Sequence, residues 1–176
     1  MTMTKKMKII SIIIAAILIL ISILIGRTFI GNVIAGRIHF PEKHVGTNLK
    51  MEDNKEFTVL RRLQVEGKND TADKYAVFKV RFKFKSLKFE TNKRLSMIPA
   101  PFLMGMKGFR EKIWTFNEET DYFQGIYQWE SKEIAEKYPD SFIFKLMTKR
   151  SAPGTLSYEI IPNTDLSQYI KRLSSE

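Results

Sequence analysis

The residues that most often carry acid–base and metal chemistry are scarce in this chain. It has no cysteine and two histidines, His39 and His44, whose separation does not place them on one face of a helix. No cluster of carboxylates or thiols accompanies them, so two solvated imidazoles are the simpler interpretation. The sequence therefore predicts no metal site, and the lack of histidine and cysteine in residues 56–176 also argues against the usual haem ligands there.

Aromatic side chains are concentrated in the segment GFREKIWTFNEETDYFQGIYQWES, from Gly108 to Ser131. Phe109 to Phe116 and Tyr122 to Trp129 are rich in strand-favouring residues, and the polar NEETD between them is typical of a turn. Such a hairpin offers flat surfaces on which an aromatic ligand could stack. The same rings could instead fill an ordinary core or a dimer interface.

Local patterns around this hairpin predict the elements that must position it. Tyr75 to Phe84 alternates apolar and basic residues, which is typical of a strand with one core face. A helix is expected from Leu87 to about Ile98, with Ser86 as its cap, and Thr155 to Ile161 reads as a last strand. Ser131 is expected to cap a second helix with an apolar stripe at Ile134, Tyr138, Phe142 and Leu146, which Pro139 should kink or restart.

The predicted order from Tyr75 is strand, helix, strand, strand, helix, strand. This order indicates an α+β protein with a ferredoxin-like βαββαβ core and a four-stranded antiparallel sheet carrying helices on one face. A further strand is expected from Glu56 to about Val65, and a short amphipathic helix after Asp165. The open face of such a sheet would favour pairing with a second copy of the chain.

The N-terminal residues indicate a membrane anchor. Ile9 to Ile25 contains no charged residue, and a helix of that length would span about 26 Å at roughly 1.5 Å per residue. The run is longer than the apolar part of a cleaved signal peptide and ends at Gly26-Arg27 rather than at a small-x-small site. Val33-Ile34-Ala35 is a weak alternative cleavage site, so an uncleaved signal anchor is favoured over a removed signal peptide. The predicted organisation is a cytoplasmic basic start at 1–8, a transmembrane anchor at 9–26, a tether at 27–55 and a domain at 56–176 with its core at 75–161.

Charge favours a membrane rather than nucleic acid as the partner. The chain has 29 basic and 19 acidic residues, and its N-terminal lysines precede the apolar run, so the domain is expected outside the cytoplasm. No nucleic-acid-binding module is visible. The basic face of the strand after Tyr75 is either solvated or a surface for anions or lipid headgroups; its residues are Lys79, Arg81, Lys83 and Lys85.

The hairpin resembles a known family. The pattern GF.EKIWT.....GIYQW.S...A..Y, from Gly108 to Tyr138, is similar to the YdhR-type monooxygenase branch of the dimeric α+β barrel, or antibiotic-biosynthesis-monooxygenase-like, superfamily. The resemblance covers roughly residues 75–170. It implies a homodimer whose sheets pack together, with a cleft in each subunit between sheet and helices. It implies no particular activity, because the fold hosts oxygenases, isomerases and proteins without assigned function.

Oxygenases of this type that need no cofactor oxidise phenolic or anthrone-like molecules after removing a proton, so they need a base and groups that stabilise an anion. The domain has no histidine to act as that base. The resemblance implies that Asn92 or Arg94 could stabilise an oxyanion and that Trp114 or Trp129 could stack on the ligand. The remaining cleft candidates for ligand binding are Arg110, Tyr127 and Tyr158. Packing or surface roles are the competing interpretation for all of them.

Three functions remain open at this point. The first is a membrane-anchored, monooxygenase-like enzyme without a cofactor that acts on a small apolar aromatic molecule. The second is a non-catalytic module that binds such a molecule or a lipid headgroup. The third is a structural domain that only dimerises. A base in the cleft would favour the first, and an apolar cavity would favour the first two over the third.

Overall fold

A seven-stranded antiparallel sheet organises the fold. The structure is a computed structural model that describes residues 10, 12, 13, 26–67 and 74–173. The strands are β1 (Ile38–His39), β2 (Asn48–Lys50), β3 (Glu56–Val65), β4 (Ala76–Phe82), β5 (Phe109–Asn117), β6 (Tyr122–Trp129) and β7 (Ser157–Pro162). The helices are α1 (described over residues 26–34), α2 (Phe89–Leu95), α3 (Ala100–Met104), α4 (Lys132–Ala135), α5 (Phe142–Arg150) and α6 (Leu166–Leu173), with a 3₁₀ turn at Tyr138–Asp140.

The ferredoxin-like core is the predicted one. Strands β5, β6, β4 and β7 are neighbours in that order, α2 and α3 connect β4 to β5, and α4 and α5 connect β6 to β7. The sheet is larger than the four strands predicted, because β3 pairs with the outer edge of β5 and both β1 and β2 pair with β3. The pairing of β3 with β5 provides hydrogen-bond partners for the backbone groups along the outer edge of β5, which would otherwise have no partner strand.

Part of the segment predicted to be a tether is folded. Strands β1 and β2 lie within 27–55, and the side chains of Leu49 and Met51 are buried. Two short strands beside β3 are enough to bury these side chains, although glycines and polar residues dominate the surrounding sequence.

The sheet has two covered faces, which we call the helix face and the α6 face. Helices α2 to α5 cover the helix face, whose core includes Phe78, Val80, Leu103 and Trp129. Helix α6 and β2 cover the opposite face, where a second core contains Val77, Ile113 and Ile126 together with the α6 side chains Leu166, Tyr169, Ile170 and Leu173. The sheet face that was expected to stay open is therefore covered by the chain's own C-terminal helix.

Helix boundaries follow local signals, with two differences from prediction. Ser131 caps α4 by accepting a hydrogen bond from the Ile134 amide, as predicted. The 3₁₀ turn at Pro139 ends that helical phase, and Ser141 caps a new helix, so Phe142 and Leu146 are exposed rather than part of a buried stripe. Helix α2 is shorter than the helix predicted from Leu87 to about Ile98. It begins after Leu87, whose φ of 69° is left-handed, and Ser86 is not its cap.

The predicted anchor, residues 9–26, falls almost entirely outside the described residues. Within the part of the chain that the structure describes, no helix combines the length and the apolar character that crossing a membrane requires. Residues 26–34, which follow the anchor in sequence, are helical.

Candidate functional site

A cavity lies on the helix face between the sheet and helices α2 and α5. Its volume is about 70 Å³, which is room for several water molecules or a small organic group. Strand residues form its floor, and the more exposed Leu95, Ser96, Leu146 and Met147 lie towards the surface. The lining that bears on chemistry is Asn92, Lys112, Trp114, Gly125, Tyr127 and Tyr138.

Lys112 is the least expected of these residues, because its amine enters an aromatic environment. Lys112 and Trp114 are two residues apart on β5, so their side chains point to the same face of the sheet, the helix face. Lys112 is paired across the sheet with Tyr127. Its Nζ atom lies 4.2 Å from the centre of the Trp114 ring and 4.4 Å from that of Tyr127. Only 7% of the residue is exposed. The geometry places an amine between two ring faces at the cavity.

Burial lowers the pKa of this amine. Desolvation holds the pKa of Lys112 well below its usual range, and among the described residues no carboxylate accompanies it. The two ring faces attract the protonated form, but they do not replace the hydration that an ammonium ion loses on burial. The amine is therefore shifted towards its neutral form, which carries a lone pair and can accept a proton.

Asn92 contributes a hydrogen-bond acceptor. Its Nδ2 atom donates to the carbonyl oxygens of Ser86 at 3.0 Å and Leu87 at 3.2 Å, which fixes the orientation of the amide. Its Oδ1 atom is buried and has no hydrogen-bond partner among the described residues. The oxyanion role expected for Asn92 does not fit this arrangement, because both donors are used and the atom left over accepts. A ligand O–H or N–H group would satisfy it.

Two buried tyrosines complete the inner wall. The Tyr138 hydroxyl donates to the Tyr127 hydroxyl over 3.2 Å, and burial raises the pKa of both phenols. They remain neutral, so neither competes with Lys112 as a base near neutral pH. The centroid of the Tyr138 ring lies 5.1 Å from the centroid of the Tyr127 ring and 5.1 Å from that of the Trp129 ring.

Gly125 gives Tyr127 its position. A Cβ atom at residue 125 would lie 2.6 Å from Cε2 of the Tyr127 ring, which is closer than any real Cβ contact. Gly125 also stands opposite Trp114 in the β5–β6 ladder. A side chain at residue 125 would therefore collide with the Tyr127 ring in its present position, and its absence leaves room for that ring at the cavity.

The structure brings together three of the predicted site residues and separates the other four. Asn92, Trp114 and Tyr127 line the cavity. Arg94 is exposed on α2 outside it. Arg110 is paired with Glu130, and Trp129 is buried in the helix-face core. Tyr158 is half exposed on β7, where it stacks on Phe78 with centroids 5.1 Å apart.

Two of the four residues of the basic face, Lys79 and Arg81, are paired with carboxylates. Lys79 binds Glu52 at 2.8 Å and Glu159 at 2.7 Å. Arg81 binds Asp53, whose pKa it lowers to about 2 through a hydrogen bond. These acidic partners come from β7 and from the turn after β2, so alternation along β4 alone could not reveal them.

Within residues 26–67 and 74–173, no group of three or more His, Asp or Glu side chains is arranged to hold a metal ion. Sequence reasoning also missed Lys112, although a signal exists: it is a lysine on the otherwise aromatic face of EKIWT. Among the described residues, the groups that this cavity presents are a desolvated amine, an amide oxygen without a hydrogen-bond partner and aromatic rings.

Comparison with known proteins bears out the resemblance seen in the hairpin. Residues 77–159 match the model of the family described as "Putative mono-oxygenase ydhR". No curated protein matches the sequence.

Several solved structures are similar in fold. One is an uncharacterized ferredoxin fold protein related to antibiotic biosynthesis monooxygenases from Listeria monocytogenes, with 12% identity, a TM-score of 0.48, and 66% of this chain and 69% of that chain covered. Another is a heme-degrading enzyme from the same organism, with 13% identity, a TM-score of 0.48, and coverage of 65% and 74%. A monooxygenase-like protein from Listeria innocua has 13% identity, a TM-score of 0.47, and coverage of 66% and 68%.

Proposed function

We propose that the domain binds a small planar aromatic molecule with an acidic O–H or C–H group and removes that proton, so that the resulting anion can react with molecular oxygen. The family description of the matched segment supports an oxygenase. The observation that carries the proposal is the Lys112 amine, buried at the cavity between Trp114 and Tyr127. In this proposal Lys112 is the base, because the domain contains no histidine that could take that role.

Proton transfer to Lys112 is favoured by its surroundings. The ligand O–H or C–H bond breaks, an N–H bond forms at Nζ, and a buried ion pair of ammonium and ligand anion results. The two ring faces stabilise the new ammonium ion, and the ligand anion supplies the opposite charge that the free cavity lacks. Molecular oxygen is the co-reactant for the anion. A base of this kind contributes on the order of 10²- to 10⁴-fold to a rate.

Trp114 and Asn92 take supporting roles in this proposal. The indole of Trp114 offers a flat surface for the ligand ring, and Oδ1 of Asn92 accepts a hydrogen bond from a ligand hydroxyl. A ligand larger than the 70 Å³ space would have to displace side chains at the α5 side, where Leu146 is exposed and Met147 is an unbranched side chain that adapts readily to new neighbours.

Binding without turnover is the second candidate. It is favoured by the use of both Asn92 amide donors in backbone hydrogen bonds, which leaves the cavity with fewer groups to stabilise an anion. The lipid-headgroup version of this idea loses part of its support, because Lys79 and Arg81 of the basic face are paired with carboxylates.

Replacing Lys112 by methionine tests the proposed base. We expect Lys112→Met to lower oxygen uptake with anthrone-type substrates by about 100-fold or more, because the base is removed while the apolar stem is kept. Binding of the same compounds, followed by tryptophan fluorescence, should change less than turnover. The measurement uses the full chain in detergent micelles and an oxygen electrode.

Lys149→Met is the matched control, because this lysine is exposed on α5 and lies outside the cavity lining. It should leave uptake unchanged. Uptake by Lys112→Met within about twofold of the parent protein would contradict the assignment of the base. If the parent protein binds the anthrone-type compounds tightly but takes up no oxygen, the result would support the non-catalytic binding module instead of the enzyme.

We also propose that Ile9–Ile25 anchors the domain to a membrane, with the domain on the extracytoplasmic side. The uncharged run in the sequence supports this, and so does the surface that follows it. Exposed apolar side chains are frequent on α1 and just beyond it; they are Ile30, Val33, Ile34, Phe40 and Val45. Asn32 on α1 donates a hydrogen bond of 2.9 Å to the Met104 carbonyl, so this segment is attached to the domain.

Charged residues within the apolar run should release the protein from membranes. Placing a lysine in the centre of a spanning helix costs about 2.5–3.5 kcal/mol, so we expect the double variant Ile17→Lys, Ile21→Lys to leave the membrane pellet, whereas Ile17→Leu should stay in it. Protease added to intact cells should degrade the domain of the parent protein. A protected domain would reverse the proposed orientation, and a double variant that still pellets would contradict the anchor.

A further inference from the structure

We infer that Lys112 is also a covalent attachment site, at which a small aromatic aldehyde or ketone forms an imine with Nζ. The inference rests on part of the proposed function, namely that the cavity admits an aromatic ligand. It does not depend on any reaction with oxygen.

The geometry of the amine suits a nucleophile. Lys112 lines the cavity, and among the described residues its Nζ atom has no carboxylate or hydrogen-bonding partner, only the Trp114 and Tyr127 rings at 4.2 and 4.4 Å. A lysine whose amine is paired with a carboxylate would remain an ammonium ion with no lone pair. Desolvated lysines in apolar pockets are a recognised source of amine nucleophiles.

Imine formation balances without any external oxidant or reductant. The nitrogen lone pair attacks the carbonyl carbon, a C–N bond forms, and the carbonyl oxygen leaves as water with the two hydrogens of the amine. The product is a C=N bond between the ligand and Nζ. The aryl ring of the ligand would then lie against the rings that already contact the amine.

The chain's other lysines provide an internal comparison. A solvent-exposed lysine, with a pKa of about 10.4, is almost entirely protonated near neutral pH and reacts slowly with aldehydes. The cavity amine differs by its burial and by the rings that surround it. Selectivity among lysines at neutral pH is therefore the property to measure.

Reductive trapping with benzaldehyde and borohydride tests the inference. Incubation of the full chain in micelles near pH 7, followed by reduction, should add the mass of one benzyl group. The modified peptide should be the one that contains Lys112, with at least about tenfold preference over any other lysine. Lys112→Met should abolish this preferential labelling, Lys149→Met should leave it unchanged, and benzyl alcohol, which has the same ring but no carbonyl, should protect Lys112.

The outcomes separate this inference from the proposed function. Labelling spread over surface lysines with no preference for Lys112 would overturn the inference, and so would an unlabelled Lys112 peptide in a protein whose tryptophan fluorescence still reports benzaldehyde binding. Oxygen uptake is measured on unlabelled protein. Loss of uptake with trapping intact would contradict only the oxygenase proposal, and uptake without trapping would contradict only the imine.

Discussion

Replacing Ile170 by aspartate is expected to destabilise the domain by about 3–5 kcal/mol. Ile170 is 3% exposed, and its side chain belongs to the second core, where α6 packs on the sheet. A carboxylate there would lose its hydration in an apolar core that includes Val77, Ile113 and Ile126. Urea denaturation followed by tryptophan fluorescence measures the change in the free energy of unfolding.

Ser167→Asp is the matched control, because Ser167 is exposed on the same helix. Its effect should stay within about 0.5 kcal/mol, as for most surface substitutions. A change below about 1 kcal/mol for Ile170→Asp would show that α6 does not hold the second core together in solution.

The same variant bears on the predicted homodimer. The resemblance implied that two sheets pack together through an open face, but α6 covers that face here. We expect Ile170→Asp to loosen α6 and to form larger species than the parent protein in sedimentation experiments, because the apolar sheet face becomes exposed. A parent protein that is already a dimer, unchanged in size by Ile170→Asp, would show that the dimer forms through another surface.

The core topology could be predicted because its signals are local. Alternation along Tyr75–Phe84, the aromatic hairpin and the prolines each determine one element without reference to the rest of the chain. The additions to the sheet could not be predicted in this way. β1 and β2 are too short to show a period, and the pairing of β3 with β5 joins segments distant in sequence. A register shift between Val59 and Arg61 also moves β3 from the α6-face core to the helix-face core.

The candidate site was predicted only in part for a related reason. Trp114 and Tyr127 could be identified because aromatic richness is visible in the sequence. The character of Lys112 could not, because lysine on a strand is ordinarily solvated, and the residues that enclose it here come from several elements distant in sequence. The orientation of Asn92 depends on the backbone carbonyls of Ser86 and Leu87, just before α2. Leu87 has a left-handed backbone conformation, whereas the sequence predicted that the helix would begin there.

Lys112→Met is expected to stabilise the protein near neutral pH while it removes the proposed activity. The pKa of Lys112 is well below its usual range in the folded protein, and it returns to about 10.4 on unfolding. Between the two values the unfolded chain binds more protons than the folded one, so the stability of the parent protein rises with pH in that window. At a pH below the folded-state pKa, the buried amine lowers the free energy of unfolding by its full amount, about 1.4 kcal/mol for each unit by which its pKa is lowered in the folded protein.

Methionine keeps most of the stem and carries no charge, so it removes this penalty and packs well against the Trp114 and Tyr127 rings. The variant should therefore unfold at higher urea concentration than the parent protein at pH 7, and the difference should shrink as the pH approaches 9.5. Lys149→Met should show neither effect. An unstabilised variant whose difference from the parent protein does not depend on pH would mean that the amine is hydrated or charged in the folded state, and both roles proposed for it would then lose their basis. The expected pattern, greater stability with lost turnover, indicates a residue retained for function rather than for folding.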